Sequence, residues 1–381
     1  MKRVLSALLV LLMVCSLAAC KAEEPVVETV VPEVTVTPTP EPTPEPTPEP
    51  TPEPTATPEP TPEPVNYIVP NEKTNLITGE DTLTEGAYGK RSISLMVNNA
   101  HASLPQYGIS TADMIFELPV EGDVTRLMAV WGDYTQIPDV CSIRSCRYYY
   151  PQLAVGYDSV YIHWGINKPF ALPLVESLDM TRIDGNYGTY GLFGRDQSRL
   201  NAGYNLEHTS VFYGTGIDEA LNEDEDVRTD IKDEYKKTVF KFSPEKITAT
   251  GGDCTDCTVT FSGSYYSTFS YNAEDGKYYK THSGADHMDG RSGEQLAFEN
   301  LLVLSTYIDY MPGGKSGEKQ VDVIGKGEGK FVTGGKVQDI KWSKDSEYDP
   351  LLVFDADGNE LLINTGKTYV AFCYDDSFSI N

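Results

Sequence analysis

The chain has 381 residues, with 57 acidic side chains against 30 basic ones and a formal net charge of −27. A surface that acidic repels polyanions, which excludes nucleic acid and anionic lipid headgroups as general partners, while metal ions, cationic ligands and neutral glycans remain tolerated. The length exceeds one ordinary domain, so two folded parts are expected.

The first residues read as an export signal: Lys2-Arg3, an apolar run from Val4 to Val14, then Leu17-Ala18-Ala19-Cys20. The run is too short to span a bilayer as a mature helix, and its charged front and small-residue end match a cleaved signal over residues 1–20. The last four residues have the pattern of a lipobox, which makes Cys20 the lipidated first residue of the mature chain and places it outside the cytoplasm, anchored to the membrane. The alternative is a simple cleaved signal that frees a soluble protein. Residues 21–66 follow as a stalk. Between Pro25 and Pro64, repeats such as Glu41-Pro42-Thr43-Pro44 carry no hydrophobic periodicity and no glycine. Such a stretch buries no core and holds an extended polyproline II path of about 3.1 Å per residue, a reach on the order of 100 Å.

Residues 67–237 alternate strands and helices and are expected to form an α/β domain. Ile93–Val97 reads as a strand ending at Asn98-Asn99. Met114–Val120 and Val124–Trp131 read as a hairpin around Glu121-Gly122, whose two-residue turn would set Glu117 across from Arg126. Val140–Ile143, a helix or pair of turns over Ser145–Tyr157 interrupted at Pro151, and Ser159–His163 read as a strand–helix–strand unit with parallel strands. Arg144 and His163 then emerge at carboxyl ends of strands and Arg147 falls in the first helical turn. Open α/β sheets bind ligands at that edge, and the planar forks of Arg144 and Arg147 suit an anionic group. The competing reading is structural, with both arginines neutralising neighbours such as Asp139 and Asp158. A second cluster, Phe193-Gly194-Arg195-Asp196 with Arg199, precedes His208. The candidate ligand-binding set is therefore Arg126, Arg144, Arg147, His163, Arg195, Asp196 and His208, and Arg144, Arg147, His163 and Arg195 are expected to converge. No nucleophile elbow, metalloprotease helix or phosphate-binding loop occurs; Gly325-Lys326-Gly327-Glu328-Gly329 reads as a loop.

Five cysteines remain in the mature chain besides Cys20: Cys141, Cys146, Cys254, Cys257 and Cys373. Cys254-Thr255-Asp256-Cys257 reads as a hairpin tip closed by a local disulfide, which an exported chain permits. Zinc held with His282 and His287 is the alternative, but the spacing is longer than in ordinary fingers. No metal and no cofactor is expected.

These residues carry a resemblance. Met96-Val97-Asn98-Asn99, Ala112-Asp113-Met114-Ile115-Phe116-Glu117, Val120-Glu121-Gly122-Asp123-Val124-Thr125-Arg126 and Ile143-Arg144-Ser145-Cys146-Arg147 occur in the order and spacing of the YerB-like lipoproteins. Tyr278-Tyr279-Lys280, His287, Asp289, Asn300-Leu301-Leu302-Val303 and Ile340-Lys341-Trp342 extend it, so that it spans most of residues 75–375. The resemblance implies an amino-terminal α/β domain, a carboxyl-terminal β-rich domain and a membrane-anchored lipoprotein, and it implies no reaction. Two positions depart from the family pattern. Asn98 stands where an Asp is usual, and Glu207-His208-Thr209 keeps the imidazole of a Pro-His-Asn motif without its neighbours.

After the acidic run Glu223-Asp224-Glu225-Asp226, a helical stretch to about Lys237 is expected to connect the domains. Residues 238–381 then read as short strands separated by turns such as Asp275-Gly276, Gly334-Gly335 and Asp357-Gly358, a sandwich or barrel. Asp355–Glu360 has the look of a calcium loop but lacks the ligand spacing and reads as a hairpin turn. The fold class is thus α+β behind a Pro-rich stalk. Three functions fit, in this order: an extracytoplasmic lipoprotein binding an anionic small ligand, a cell-wall glycan or an envelope protein; an enzyme on wall or phosphate-linked polymer; and a structural or adhesive surface protein.

Overall fold

Near-continuous apolar runs in residues 93–131 signal strands buried on both faces. In the computed structural model, which describes residues 66–187, 191–223 and 227–381, these runs lie at the middle of a ten-stranded mixed sheet. The signal, Cys20, the stalk and residues 224–226 lie outside the described residues. The first eight strands are β1 Ile93–Asn98, β2 Met114–Pro119, β3 Thr125–Trp131, β4 Val140–Cys141, β5 Val160–His163, β6 Arg182–Asp184, β7 Phe193–Arg195 and β8 Ser210–Phe212. Those following are β9 Lys241–Ser243, β10 Asp256–Thr260, β11 Tyr266–Asn272, β12 Lys277–His282, β13 Ala285–Asp286, β14 Ala297–Phe298, β15 Asn300–Ser305, β16 Ile308–Tyr310, β17 Lys319–Val321, β18 Gly325–Thr333, β19 Lys336–Lys344, β20 Leu352–Phe354, β21 Leu362–Asn364, β22 Thr368–Cys373 and β23 Phe378–Ile380. The described residues also form four short α-helices: α1 Tyr149–Val155, α2 Ala171–Ser177, α3 Gln197–Asn201 and α4 Ile217–Glu223.

The large sheet runs β20-β19-β18-β15-β22-β2-β3-β1-β5-β6, with β22 parallel to both β15 and β2. Strands from before and after Lys237 thus belong to one sheet, and the described residues form one compact unit. The later strands do not close on themselves as a sandwich or barrel: β10, β11, β12, β13, β14 and β23 form a second sheet, β15, β18, β19, β20 and β22 extend the first, and β16 with β17 and β9 with β21 form two-stranded sheets of their own. Period-two alternation gives each face of the large sheet its own core. On one face Leu95, Ile115 and Ala129 pack with Val259, Phe269 and Phe298 of the second sheet. On the other, Met96, Phe116 and Met128 pack with Tyr149 and Leu153 of α1.

Five local expectations need correction. The link between β2 and β3 is five residues long, so Glu117 pairs with Leu127 and Arg126 with Leu118. Alternation then sends the carboxylate and the guanidinium to opposite faces, and no cross-strand ion pair forms. The strand β4 pairs antiparallel with β8 in a separate three-stranded sheet, because residues 142–146 leave it to cross the end of β1; the parallel neighbours of β5 are β1 and β6. The helix α1 starts at Tyr149, past Arg147, and takes Pro151 in its first turn, where a missing N–H breaks no helical bond. Gly325–Gly329 opens β18 rather than forming a loop; a Cβ at Gly327 or Gly329 would lie 2.6 Å from a carbonyl of β15, so both glycines serve close strand approach. Cys257 lies inside β10, not at a hairpin tip, and all five cysteines of the described residues are buried free thiols.

Candidate functional site

The segment 142–146 is stitched across the carboxyl ends of β1 and β5. Asn98 N donates to Ser142 O (2.8 Å), Arg144 N to Met96 O (3.0 Å), Trp164 N to Arg144 O (3.0 Å) and Cys146 N to Gly165 O (2.9 Å). These bonds deliver Arg144 and Arg147 to the edge where the parallel strands β1, β5 and β6 end, the place at which α/β sheets leave room for a ligand. Arg126, on the α1 face of β3 directly beside Asn98, completes a group of three arginines.

Their partners are few. Arg126 is almost fully buried, donates Nη1 to Ser145 O (2.7 Å) and Nη2 to Glu121 Oε2 (3.4 Å). Arg147 grips the same Glu121 through Nε and Nη2. Arg144 pairs by Nη1 with Glu207 Oε2 (3.0 Å), and its buried Nε has no partner. Burial, and after it the field of Arg147, pulls the Arg126 guanidinium down to about 10, so it stays charged at neutral pH. Three cations therefore share two carboxylates. One of these, Glu207, is half exposed, and an ion pair of that kind contributes little in water.

His208 joins this group. Asn98 accepts from Ala100 N through Oδ1, so its amide donates to His208 Nδ1 at 3.0 Å and the neutral ring carries its proton on Nε2, toward Glu207 Oε1 at 3.7 Å. Burial, opposed by Glu207 and assisted by Arg144, lowers the pKa of His208. Asn98 and the imidazole of His208 are thus direct partners.

Each of the remaining candidates has partners of its own. His163, fully buried at the end of β5, donates Nδ1 to Gly165 O (2.7 Å) and turns Nε2 toward Arg182 Nη1 (3.4 Å), with Asp184 Oδ1 at 3.9 Å; burial holds it down to about 4. Arg195 lies flat over Trp164, 4.2 Å from the ring centre, and donates to Leu206 O (2.6 Å). Asp196 caps α3 through Arg199 N (3.0 Å) and accepts Tyr107 OH (2.7 Å); despite burial, these bonds and that of Ser198 hold its carboxyl down to about 2. Glu121 and Glu207 escaped sequence reading, although Glu121, five residues before Arg126, falls in a quoted motif. No group of His, Cys, Asp and Glu suited to a metal occurs among the described residues.

A family described as a protein of unknown function (DUF3048) matches twice, by its N-terminal domain over residues 77–226 and by its C-terminal domain over residues 257–370. The chain belongs to the YerB-like family. The protein YerB of Bacillus subtilis (strain 168), which carries a lipoprotein name, is 25% identical over 295 residues, 77% of this chain and 84% of the relative. The crystal structure of YerB from Bacillus subtilis matches the fold with a TM-score of 0.66 at 22% identity, covering 80% of this chain and 98% of that one. Two of the motifs that carry the resemblance, Val120–Arg126 and Ile143–Arg147, supply the arginines gathered at the strand ends.

Proposed function

We propose that this is an extracytoplasmic lipoprotein, anchored through Cys20 and held off the membrane by its stalk, whose folded part binds an anionic cell-envelope ligand at Arg126, Arg144 and Arg147. The observation that carries the reading is the surplus of guanidinium groups over carboxylates at the carboxyl edge of β1 and β5, with Arg144 Nε unpartnered. A phosphate or carboxylate entering there replaces the exposed Glu207, a weak partner, and meets planar donors in a partly buried setting, where charge-assisted bonds are strong. An acid-binding notch on an acidic protein also selects for compact anions, since the surrounding field repels long polyanions.

The test is thermal unfolding of the mature chain with inorganic phosphate, pyrophosphate and an acidic wall-glycan fragment, at constant ionic strength. A ligand at about 100 times its Kd stabilises by about 2.7 kcal/mol, and Arg144→Gln is expected to remove that gain while leaving the unliganded melting point nearly unchanged. If every salt gives the same shift, or Arg144→Gln leaves the shift intact, the site is refuted.

A further inference from the structure

A cavity of about 780 Å³ opens on the side of the fold away from the arginines, a size within the roughly 300–1,000 Å³ of small-molecule sites. It lies between the first described residues, the segment around Ile231–Lys241 and the end of β19 with the loop that follows. Ile77, Ile231 and Val239 form a buried apolar floor, with Leu76, Leu83 and Leu352 half-buried around it.

The wall includes Lys344, the last residue of β19, which is 1% exposed. Its ammonium donates to the carbonyls of Glu347 (2.8 Å) and Asp349, and no carboxylate of the described residues lies within ion-pair distance. The other lysines of the lining differ: Lys90 pairs with Asp230 (2.7 Å), Lys241 with Glu360 (2.9 Å) and Lys236 with Asp233 (2.7 Å), while Lys237 is exposed. The acids near Lys344, Asp345 and Asp349, are exposed at the rim, where water screens them. A buried cation costs free energy unless an anion compensates it, and two carbonyl dipoles leave one of its three protons without an acceptor. Burial, only partly offset by Asp349 and Glu347, accordingly pulls Lys344 down to about 8.

We infer that this cavity binds a single-chain anionic amphiphile, its apolar tail on the Ile77–Ile231–Val239 floor and its carboxylate or phosphate head on Lys344. Such a ligand supplies both things the cavity lacks, an apolar filling and a counter-charge. It is distinct in place from the arginine site, none of whose three arginines lines this cavity.

The test uses the mature chain and displacement of 8-anilinonaphthalene-1-sulfonate by laurate, dodecyl phosphate, dodecanol and dodecylammonium. Laurate or dodecyl phosphate is expected to bind at least about tenfold more tightly than dodecanol, the difference between them showing which head the site prefers. Lys344→Met should erase that preference for the anions, and Leu76→Trp, which fills the cavity without touching the ammonium, should abolish displacement by every chain. Circular dichroism verifies folding of each variant; should Lys344→Met fail to fold, Leu76→Trp with the four heads still decides. Equal binding of dodecanol and laurate, tighter binding of dodecylammonium, or undiminished binding to Leu76→Trp overturns the inference.

Discussion

Replacing Lys280 with Met strikes the polar group that joins the two sheets. Glu117 of β2 is completely buried and accepts Thr125 Oγ1 (2.8 Å), Tyr369 OH (2.9 Å), Asn99 Nδ2 (3.0 Å) and Ser267 Oγ (3.0 Å), with Lys280 Nζ of β12 at 3.4 Å. Burial raises its pKa, but Lys280, His282 and the hydroxyl donors outweigh burial and hold the carboxyl ionised below the ordinary range. The ammonium in turn donates to His287 Nδ1 (3.0 Å), whose Nε2 donates to Gln106 Oε1 (2.9 Å). In Lys280→Met the carboxylate keeps four neutral donors and loses its only cation, a loss of about 3–5 kcal/mol for a broken buried pair. That is a large part of the roughly 5–15 kcal/mol by which a domain is stable. Glu117→Gln is expected to cost a similar amount, and the double variant less than the sum by about 2 kcal/mol, since each single change leaves a charge that the other removes. Urea unfolding followed by far-ultraviolet circular dichroism and by the fluorescence of Trp131, Trp164 and Trp342 measures this. Both probes should shift together in one transition, because the lost contact links both sheets. A cost under about 1 kcal/mol, additive single changes, or two separable transitions would refute the reasoning.

Acid should destabilise the fold before its carboxylates titrate. Burial holds His163 and His282 down to about 4 and His287 well below its ordinary value near 6.5, while His101, exposed and stacked on Tyr265, lies beside His282. Below about pH 6.5 the unfolded chain takes up protons that the folded chain refuses, so stability is flat above that pH and falls as pH drops toward about 4, by up to about 3 kcal/mol per histidine. Urea midpoints that stay constant between about pH 7 and about pH 5 would contradict it. At the other end of the chain, Cys20→Ser is expected to leave the protein unprocessed or to release it from the membrane fraction, and a fully processed, membrane-retained variant would overturn the anchor.

What could be read from residues alone was whatever local pattern decides. The apolar runs placed β1, β2 and β3 within a residue or so, and the turn glycines of the second half marked turns between strands, because alternation and positive-φ turns are local properties. Partnership was not local. Whether Glu117 faces Arg126 depends on the exact length of one connection, and a change of one residue in register moves every side chain to the other face. The same holds for β4, which reads as part of a parallel unit until residues 142–146 are seen to spend their backbone bonds on the ends of β1 and β5. Arg144 and Arg147 were legible as chemistry from their spacing, whereas the link from Asn98 to His208 joins residues 110 positions apart and leaves no periodic trace.

The position of β22 sets the order in which this protein can be made. Residues 368–373, almost the last of the chain, fill the centre of the large sheet, with β15 on one side and β2 on the other. Until they arrive, both neighbours present unpaired edges of long apolar strands, which are templates for association between chains. The amino-terminal half therefore has to wait for residues 368–373 before its sheet is complete, and a chain truncated before Thr368 would leave β2 and β15 with unpaired edges. The net charge of −27 bears on that delay, since like charge keeps waiting molecules apart.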